Sequence, residues 1–551
     1  MASLLLDLPT GGRVDRNAGL AEQSTEYSFY FHDDWRVTGK LTLNLGIRYE
    51  IESPLTERFD RSVRGYDFKT PNPLEATAKA NYAASPIPEL PVSDFRFTGG
   101  LTFAGVGGQP RGLWKRDINN WMPRAGFAYQ LNSKTVLRGG WGLFFGPLGA
   151  RRIDAIQTGF SQETTLIPSV DNGLTFVATL SNPFPDGIKT PPGAKDGLLT
   201  FAGRGISFFE ENPRAPYHHR WQFAIQRELP LRVLMEVGYV GNWGTAMETT
   251  RDHRALPLNY LSRSPVRDQA TIDYLGAQVN NPFFGLLPGT GLANRTVSRS
   301  YLLASGAYTG FTGMTSMDNL GYSRYHSLTV RGERRFAAGW TLNVGYSWAK
   351  NMEATSRLNG QYSDLEYVVS DQDRAHRIVI SGIFELPFGR GKAVLGSAGR
   401  AANAIAGGWQ VQGIYTGQGG QPLGWGNIFF RGNSVHDITL PVSERTPQRW
   451  FNTGAGFVRA SGEQPGSNFR VWPSRLSDVR GDGVNMFDLS VIKNTRIKER
   501  MTAQFRAEFL NAMNHPNFNN PNTSVTSSAF GQVTSQKGYP RRIQFGFKFL
   551  F

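Results

Sequence analysis

The sequence has no cysteine. That excludes disulfides, thiolate metal sites and a cysteine nucleophile. It leaves the compartment open, since an exported chain without thiols has none to misoxidise. Long apolar runs are also missing. The richest stretch, 140–148, is broken by glycine and proline, far short of the ~18–20 residues a membrane helix needs. The opening residues, MASLLLDLPTGGR, hold only Leu4, Leu5 and Leu6 as an apolar run, with no basic residue before it, so they do not read as a secretory signal. Histidine is sparse, at 8 residues. No HExxH or GxSxG pattern occurs, and Gly389-Arg390-Gly391-Lys392 is followed by Ala393, which breaks the phosphate-loop spacing. The pair His218-His219 would point to opposite faces of a strand, which is poor for chelation. No catalytic residue, cofactor site or metal site is therefore expected, and covalent catalysis is not the expected work of the chain.

What is present is glycine, 63 of 551 residues, with 37 Phe, 19 Tyr and 12 Trp. Both classes suit strands and turns. Lys+Arg of 59 against Asp+Glu of 44 gives a net charge of +15, an excess that favours anionic partners. There is no basic helix, RNA-binding signature or dense basic run, so no nucleic acid is expected among them.

A period of two runs through the chain. Ile543, Phe545, Phe547, Phe549 and Phe551 alternate with Arg542, Gln544, Gly546, Lys548 and Leu550. Leu41, Leu43, Leu45, Ile47 and Tyr49 alternate with Thr42, Asn44, Gly46 and Arg48. The same pattern recurs at 27–32, 342–348 and 501–509. Short turns join such segments in pairs, at 36–40, 131–134, 228–230, 337–339 and 494–499. Long segments rich in Gly, Pro, Asn and Ser separate the pairs, at 52–120, 147–216, 244–320, 351–374, 418–482 and 512–540.

Short turns alternating with very long loops do not suit a soluble sandwich. A propeller would repeat every ~40–50 residues, and no such repeat is found. Strands of about 9–11 residues match a tilted membrane crossing. The expected fold is all-β, a transmembrane antiparallel β-barrel with long extracellular loops. If Phe551 ends in the periplasm, every short turn falls inside and every long segment outside, with 387–408 as a longer inner turn. The strands so counted number about thirteen, an odd number whose first member descends, whereas bacterial barrels are even and begin by ascending. The chain therefore reads as the C-terminal portion of a larger protein, with 1–25 unassigned and 26–551 as barrel.

Several residues are candidates for particular roles. Ile543, Phe545, Phe547, Phe549 and Phe551 form an alternating aromatic strand that can pair edge-on with barrel-assembly machinery, as well as face lipid. Trp35, Tyr49, Trp121, Trp221, Tyr239, Trp340 and Trp409 near strand ends are candidates for an interfacial aromatic girdle. Arg48, Glu50, Arg377, Glu385, Arg506 and Glu508, with Asn44, Asp488 and Gln504, would face the lumen. There they would either meet a plug or solute, or form paired ladders that hydrate the wall, the plainer expectation. Asp478, Asp482 and Asn485 lie in a glycine-containing loop, but lack the calcium-loop spacing and its final Glu. Arg480-Gly481-Asp482 matches an adhesion tripeptide, which recurs by chance.

Resemblance to a family adds to this. The stretches Phe31-His32-Asp33-Asp34-Trp35, Leu41 to Glu50, Pro123 to Tyr129, Gln226 to Pro230, Glu236 to Gly241, His376-Arg377 and Glu385 to Gly389 are involved, with Gly408-Trp409-Gln410, Phe505 to Pro516 and Pro540 to Phe547. In them the chain resembles the TonB-dependent outer-membrane receptors, in the branch with a carboxypeptidase-regulatory-like N-terminal domain. They cover nearly the whole chain and speak for architecture rather than substrate. The resemblance implies a ~22-stranded barrel, a plug inside it and energy from an inner-membrane TonB complex. No plug, energy-coupling box or early strands are found here, so the likeness is to the C-terminal barrel portion. The expected setting is the cell outer membrane, and the expected function is import of a small-molecule or glycan solute captured by the loops. Implied partners are outer-membrane lipid and lipopolysaccharide, the barrel-assembly machinery and, in a full-length form, the plug and TonB complex. The alternatives are a passive pore or adhesin-like surface protein and, last, an enzyme on a barrel scaffold.

Overall fold

The computed structural model describes residues 5–149, 155–169, 174–304, 306–360, 364–498 and 500–551. The alternating segments form thirteen strands of one antiparallel sheet. They are β1 (Glu26–Arg36), β2 (Leu41–Glu52), β3 (Asn120–Asn132), β4 (Thr135–Phe145), β5 (Tyr217–Leu229), β6 (Val233–Asp252), β7 (Gly313–Ala337), β8 (Trp340–Ala354), β9 (His376–Glu385), β10 (Trp409–Gln418), β11 (Val484–Lys498), β12 (Met501–Leu510) and β13 (Arg542–Leu550). Each lies beside its neighbours in sequence, from β1 at one edge to β13 at the other. Two short strands join this wall off the main path, Gly205–Phe209 parallel to β7 and Val368–Val369 against β8. Among the described residues β1 and β13 have no further strand beside them, so the sheet is an open wall.

Residues opposite in an antiparallel register share a face. One face can therefore be traced across the wall through Ile378, Tyr346, Val330, Val237, Ile225, Leu137, Tyr129 and Leu41. Phe545, Ala507, Val491, Val411 and Phe384 continue it at the other edge. The opposite face runs through Asn351, Tyr325, Asn242, Arg220, Gly142, Arg124, Gly46 and His32. One surface is apolar and the other polar, as the period of two requires. Glycine serves the apolar face at two places. A Cβ on Gly241 would fall 2.2 Å from the Trp221 ring, and one on Gly139 would fall 2.3 Å from Phe127. Each ring lies flat over the backbone of the facing strand because no side chain is there.

Short hairpins close one end of the wall. Between β7 and β8 only Ala338 and Gly339 remain unpaired, both at positive φ (51° and 85°), the backbone twist that two-residue hairpins favour. Of the turn expected at 494–499, residues 494–498 are instead strand, and Glu499 lies outside the described residues. β11 continues to Lys498, with Asn494 opposite Gln504 and Thr495 opposite Ala503. The polar run that reads as a turn is satisfied within the ladder, where Gln504 Nε2 donates to Asn494 Oδ1 at 2.8 Å. The longer turn 387–408 carries the helix Arg400–Ala406.

The other end departs furthest from expectation. β6 runs on to Asp252 and β7 begins at Gly313, well inside the segment expected to be loop. Two register shifts, between Gly244 and Thr249, bend this pair as it rises beyond the end of β5 at Tyr217. The long segments are not simply polar, because they enclose three buried apolar clusters. In the first, Phe97 meets Phe283 and Phe311 edge-on, each at 5.4 Å. The second, drawn from 418–482 and 512–540, stacks Trp425 on Phe457 at 5.3 Å. The third gathers Leu55, Leu113, Trp114, Leu148 and Phe209. The expected unassigned stretch 1–25 belongs to this layer where it is described. Arg13–Arg16 pairs with Gln162–Thr165, and Glu22–Gln23 pairs with Thr56–Glu57.

Candidate functional site

The six charged residues expected in the lumen all lie on the polar face, but they do not converge. Arg48 bonds Glu50 on β2 and lies 3.9 Å from Glu26. Arg377 stands opposite Ser347 and Gln418. Glu385 accepts from Lys392 Nζ at 2.9 Å. Arg506 donates to Gln504 Oε1 at 2.6 Å rather than to Glu508, which accepts from Gln544. Asn44 donates to Asp34, and Asp488 Oδ1 accepts from the Asn511 amide at 2.7 Å. These are short-range contacts strung along the wall, ion pairs at Arg48–Glu50 and Glu385–Lys392 and hydrogen bonds to neutral partners at Arg506, Glu508 and Asp488. His218 and His219 fall on opposite faces, His218 beside Asn242 and His219 stacked near Trp141.

The aromatic candidates lie on the apolar face at several heights. Tyr49 and Trp121 stack at 4.3 Å at the loop end, and the Tyr49 hydroxyl donates to the Ile118 carbonyl at 2.7 Å. Trp35, Trp340 and Trp409 stand at the turn end, where the Arg334 guanidinium covers Trp340 at 3.6 Å and Trp409 Nε1 donates to the Ile405 carbonyl. Trp221 faces Trp141, four residues in from the start of β5. Tyr239 lies inside β6 rather than at its end, because that strand runs on to Asp252, and its hydroxyl is 2.6 Å from His326 Nδ1. Ile543, Phe545, Phe547, Phe549 and Phe551 lie along the free edge and are all exposed.

Asp478 contacts His436 at 3.2 Å, whereas Asp482 accepts from the Gly483 and Phe518 amides, so the two carboxylates serve different partners. Among the described residues no group of three His, Asp or Glu is placed to hold a metal. Arg480 of the adhesion-like tripeptide is turned inward, 2.6 Å from the buried carboxylate of Asp373.

Sequence reading missed a chamber of about 610 Å³ in the loop layer. Its walls come from the strand Val63–Pro71, the strand Gly205–Phe209 and the projecting ends of β6 and β7. Tyr66, Phe68, Phe208, Tyr308 and His253 form a ring cluster with centroids 4.9–6.1 Å apart. Burial, aided by Arg251, holds His253 well below its ordinary range, down to about 4, so the imidazole is neutral at neutral pH. Burial likewise raises the Tyr66 phenol. Asp318 is only 6% exposed. Its Oδ2 lies 3.7 Å from Arg357, and its Oδ1 has no hydrogen-bond partner.

Register places Asp318 relative to the wall. Asp318 is opposite Thr249, two residues from Met247, which is opposite Gly321. Gly321 is two residues from Ser323, which is opposite Gly244 on the polar face. A Cβ on Gly321 would touch both Met247 and Thr249, so these residues share one side. The chamber thus opens on the side of the projecting pair that continues the polar face. The only sequence signal was the cluster of rings at 66–68, 208 and 308, which has no periodicity because it is assembled from distant segments.

A wide antiparallel meander, greasy on its exposed face and polar on the other, with tight hairpins at one end and folded loops at the other, is the construction of a transmembrane β-barrel wall. The chain belongs to the outer membrane beta barrel domain family, whose model matches residues 1–544. Its setting is the cell outer membrane. Similar solved structures include the outer membrane transporter YddB from Escherichia coli, 11% identical with a TM-score of 0.43 and covering 96% of this chain and 45% of that one. The siderophore receptor PiuA from Acinetobacter baumannii is 7% identical with a TM-score of 0.41, covering 96% and 43%. The pyoverdine outer membrane receptor FpvA from Pseudomonas aeruginosa is 11% identical with a TM-score of 0.40, covering 96% and 42%. The chain spans less than half the length of these structures. No curated protein matches it.

Proposed function

We propose that the chain is the barrel portion of a TonB-dependent receptor, which captures a solute in its folded loop layer and imports it along the polar face of the wall. The loop end faces outward and the hairpin end faces the periplasm. The work is binding and transport rather than covalent catalysis. The chamber at the base of the loop layer, on the side that continues the polar face, carries this reading. A passive pore or an adhesin gives no reason for an aromatic and charged chamber at that position. Lipid surrounds the apolar face, lipopolysaccharide phosphates meet the basic excess, and the aromatic edge strand β13 is read during insertion.

Growth tests this. Cells bearing the chain joined to a plug and an energy-coupling box are supplied with single ferric chelates or single glycans as the only iron or carbon source, with the inner-membrane energy-coupling complex intact or deleted. Growth that needs both the chain and the coupling complex is expected. Growth that ignores the coupling complex converts the reading to a passive pore, and growth on none of the solutes removes it.

A further inference from the structure

We propose that the loop-layer chamber is a saccharide site, which holds an uncharged pyranose ring of an oligosaccharide against its aromatic cluster while Asp318 accepts a hydrogen bond from a ring hydroxyl. The inference deepens the receptor reading and rests on it only for the chamber's access to the outer medium.

Three features select this chemistry. The first is the unpaired acceptor. Asp318 Oδ1 is buried without a partner in the chamber wall, and an unsatisfied buried carboxylate oxygen is costly until a donor reaches it. The donors that can do so are neutral hydroxyl and N–H groups or cationic ammonium and guanidinium groups. Arg357 already lies 3.7 Å from Oδ2 and Arg251 stands opposite Ser316, two residues along the strand. Those cations repel a second positive charge, which leaves a neutral donor, and the aromatic wall selects the hydroxyl of a sugar ring among them.

The second is the charge of the lining. Arg64, Lys69 and Arg251, with Arg357 beside Asp318, stand against Asp67, Glu210, Glu211 and Asp318. Arg64 and Glu211 are held at 3.6 Å, and Asp67 accepts from the Lys69 and Thr70 amides. A chamber so balanced has no excess field for a highly charged anion such as a ferric tris-catecholate. The third is the aromatic wall. Phe68 is 46% exposed at the mouth while Phe208 is buried behind it, so Phe68 offers an apolar ring surface to the C–H face of a sugar. His253 adds a neutral polar edge, with Nε2 2.8 Å from Ser316 Oγ. A volume of about 610 Å³ accommodates a short saccharide.

The sugar could arrive as a free oligosaccharide or as the core of surrounding lipopolysaccharide, and the test separates them. The full chain in detergent micelles is titrated calorimetrically with maltohexaose, xylohexaose and delipidated lipopolysaccharide core oligosaccharide. Spermidine and a ferric tris-catecholate serve as counter-probes. At least one oligosaccharide is expected to bind, and the one that binds identifies the source. Asp318→Asn is expected to weaken that binding about tenfold or more, the loss of a hydrogen bond to a charged group. Phe68→Ala is expected to weaken it about fivefold through lost ring contact. Arg431→Ala, remote from the chamber, is expected to leave it unchanged. Should Asp318→Asn fail to give a folded, heat-modifiable barrel, the exposed Phe68 decides alone. Absence of oligosaccharide binding, binding indifferent to Phe68→Ala, or tighter binding of either counter-probe overturns the proposal. Binding is read on the purified chain without any energy source, so failure of energised growth would remove the receptor reading and leave this one standing.

Discussion

Phe545, Phe547 and Phe549 on the wall are 71%, 64% and 52% exposed, whereas Phe95, Phe97, Phe283 and Phe311 in the loop layer are fully buried. The same side chain is thus used in opposite ways at the two ends of one molecule. In the wall the backbone groups of the inner strands are paired laterally, and the apolar face needs hydrocarbon to cover it. In the loop layer, burial must come from the chain itself, because water is the solvent. The three buried clusters are accordingly drawn from the long segments and the projecting ends of β6 and β7. One molecule therefore answers to two solvents, and substitutions should separate them.

The largest separation is expected at Phe97. Phe97→Ala removes a ring packed edge-on between Phe283 and Phe311, at a cost of about 3–5 kcal/mol. The loss should be confined to the loop layer. Limited proteolysis should open 52–120 and 244–312 at temperatures where the wall still migrates as a folded, heat-modifiable band. Phe545→Ala, whose ring faces outward, should open neither. Equal effects from the two substitutions would break the comparison.

Charge placed in the wall comes next. Val237 sits on the apolar face between Ile225 and Val330, while Gln226 sits on the polar face opposite Glu236. Val237→Arg should cost about 2–4 kcal/mol if it lies near the bilayer midplane. Gln226→Arg gains a partner in Glu236 and should change stability by less than about 0.5 kcal/mol. Urea unfolding in lipid vesicles measures both. A reversed order would mean that the apolar face is not the lipid face.

Acid should find the loop layer before the wall. His253 is held down to about 4 from an ordinary 6.5. Below pH 6.5 the unfolded chain takes up a proton that the folded layer resists. Stability that is full above 6.5 therefore falls as pH drops, and this contribution is gone below about 4. After allowance for solvent screening around a half-buried ring, the change is about 1–2 kcal/mol. Protease susceptibility of the layer measured from pH 7 to 4 should follow that curve, and His253→Gln should flatten it. An unchanged curve in the variant would assign the acid effect elsewhere.

The two regions were also unequally legible in the sequence. The thirteen wall strands and their order follow from alternation together with the short turns that join them and the parity of turns and long segments, because lipid on one side and polar surroundings on the other select every second residue. Turn chemistry was less reliable. Asn494 and Thr495 look like turn residues, yet each is paired across the ladder. The chamber was invisible for a different reason. Tyr66, Phe208 and Tyr308 are brought together from three separate segments, and nothing local in the chain marks them as neighbours. Alternation also stopped the strand count of β6 and β7 too early, because two register shifts interrupt it above Gly244.

The smallest expected effect tests whether the loop layer obeys the ordinary rules of a water-soluble fold down to its short helices. In Gln269–Gly276 the Asp268 carboxylate accepts from the Thr271 amide at 3.1 Å, as a helix N-cap does. In Glu75–Ala83 the preceding Leu74 supplies no such bond. Asp268→Ala should therefore cost about 1 kcal/mol, read as faster hydrogen exchange at Thr271 and Ile272, while Leu74→Ala should cost nothing through its cap. Exchange in the wall strands should be unchanged by either. If Asp268→Ala loosened β6 and β7 as well, the layer and the wall would be one cooperative unit, and their different solvents would not divide the molecule's stability.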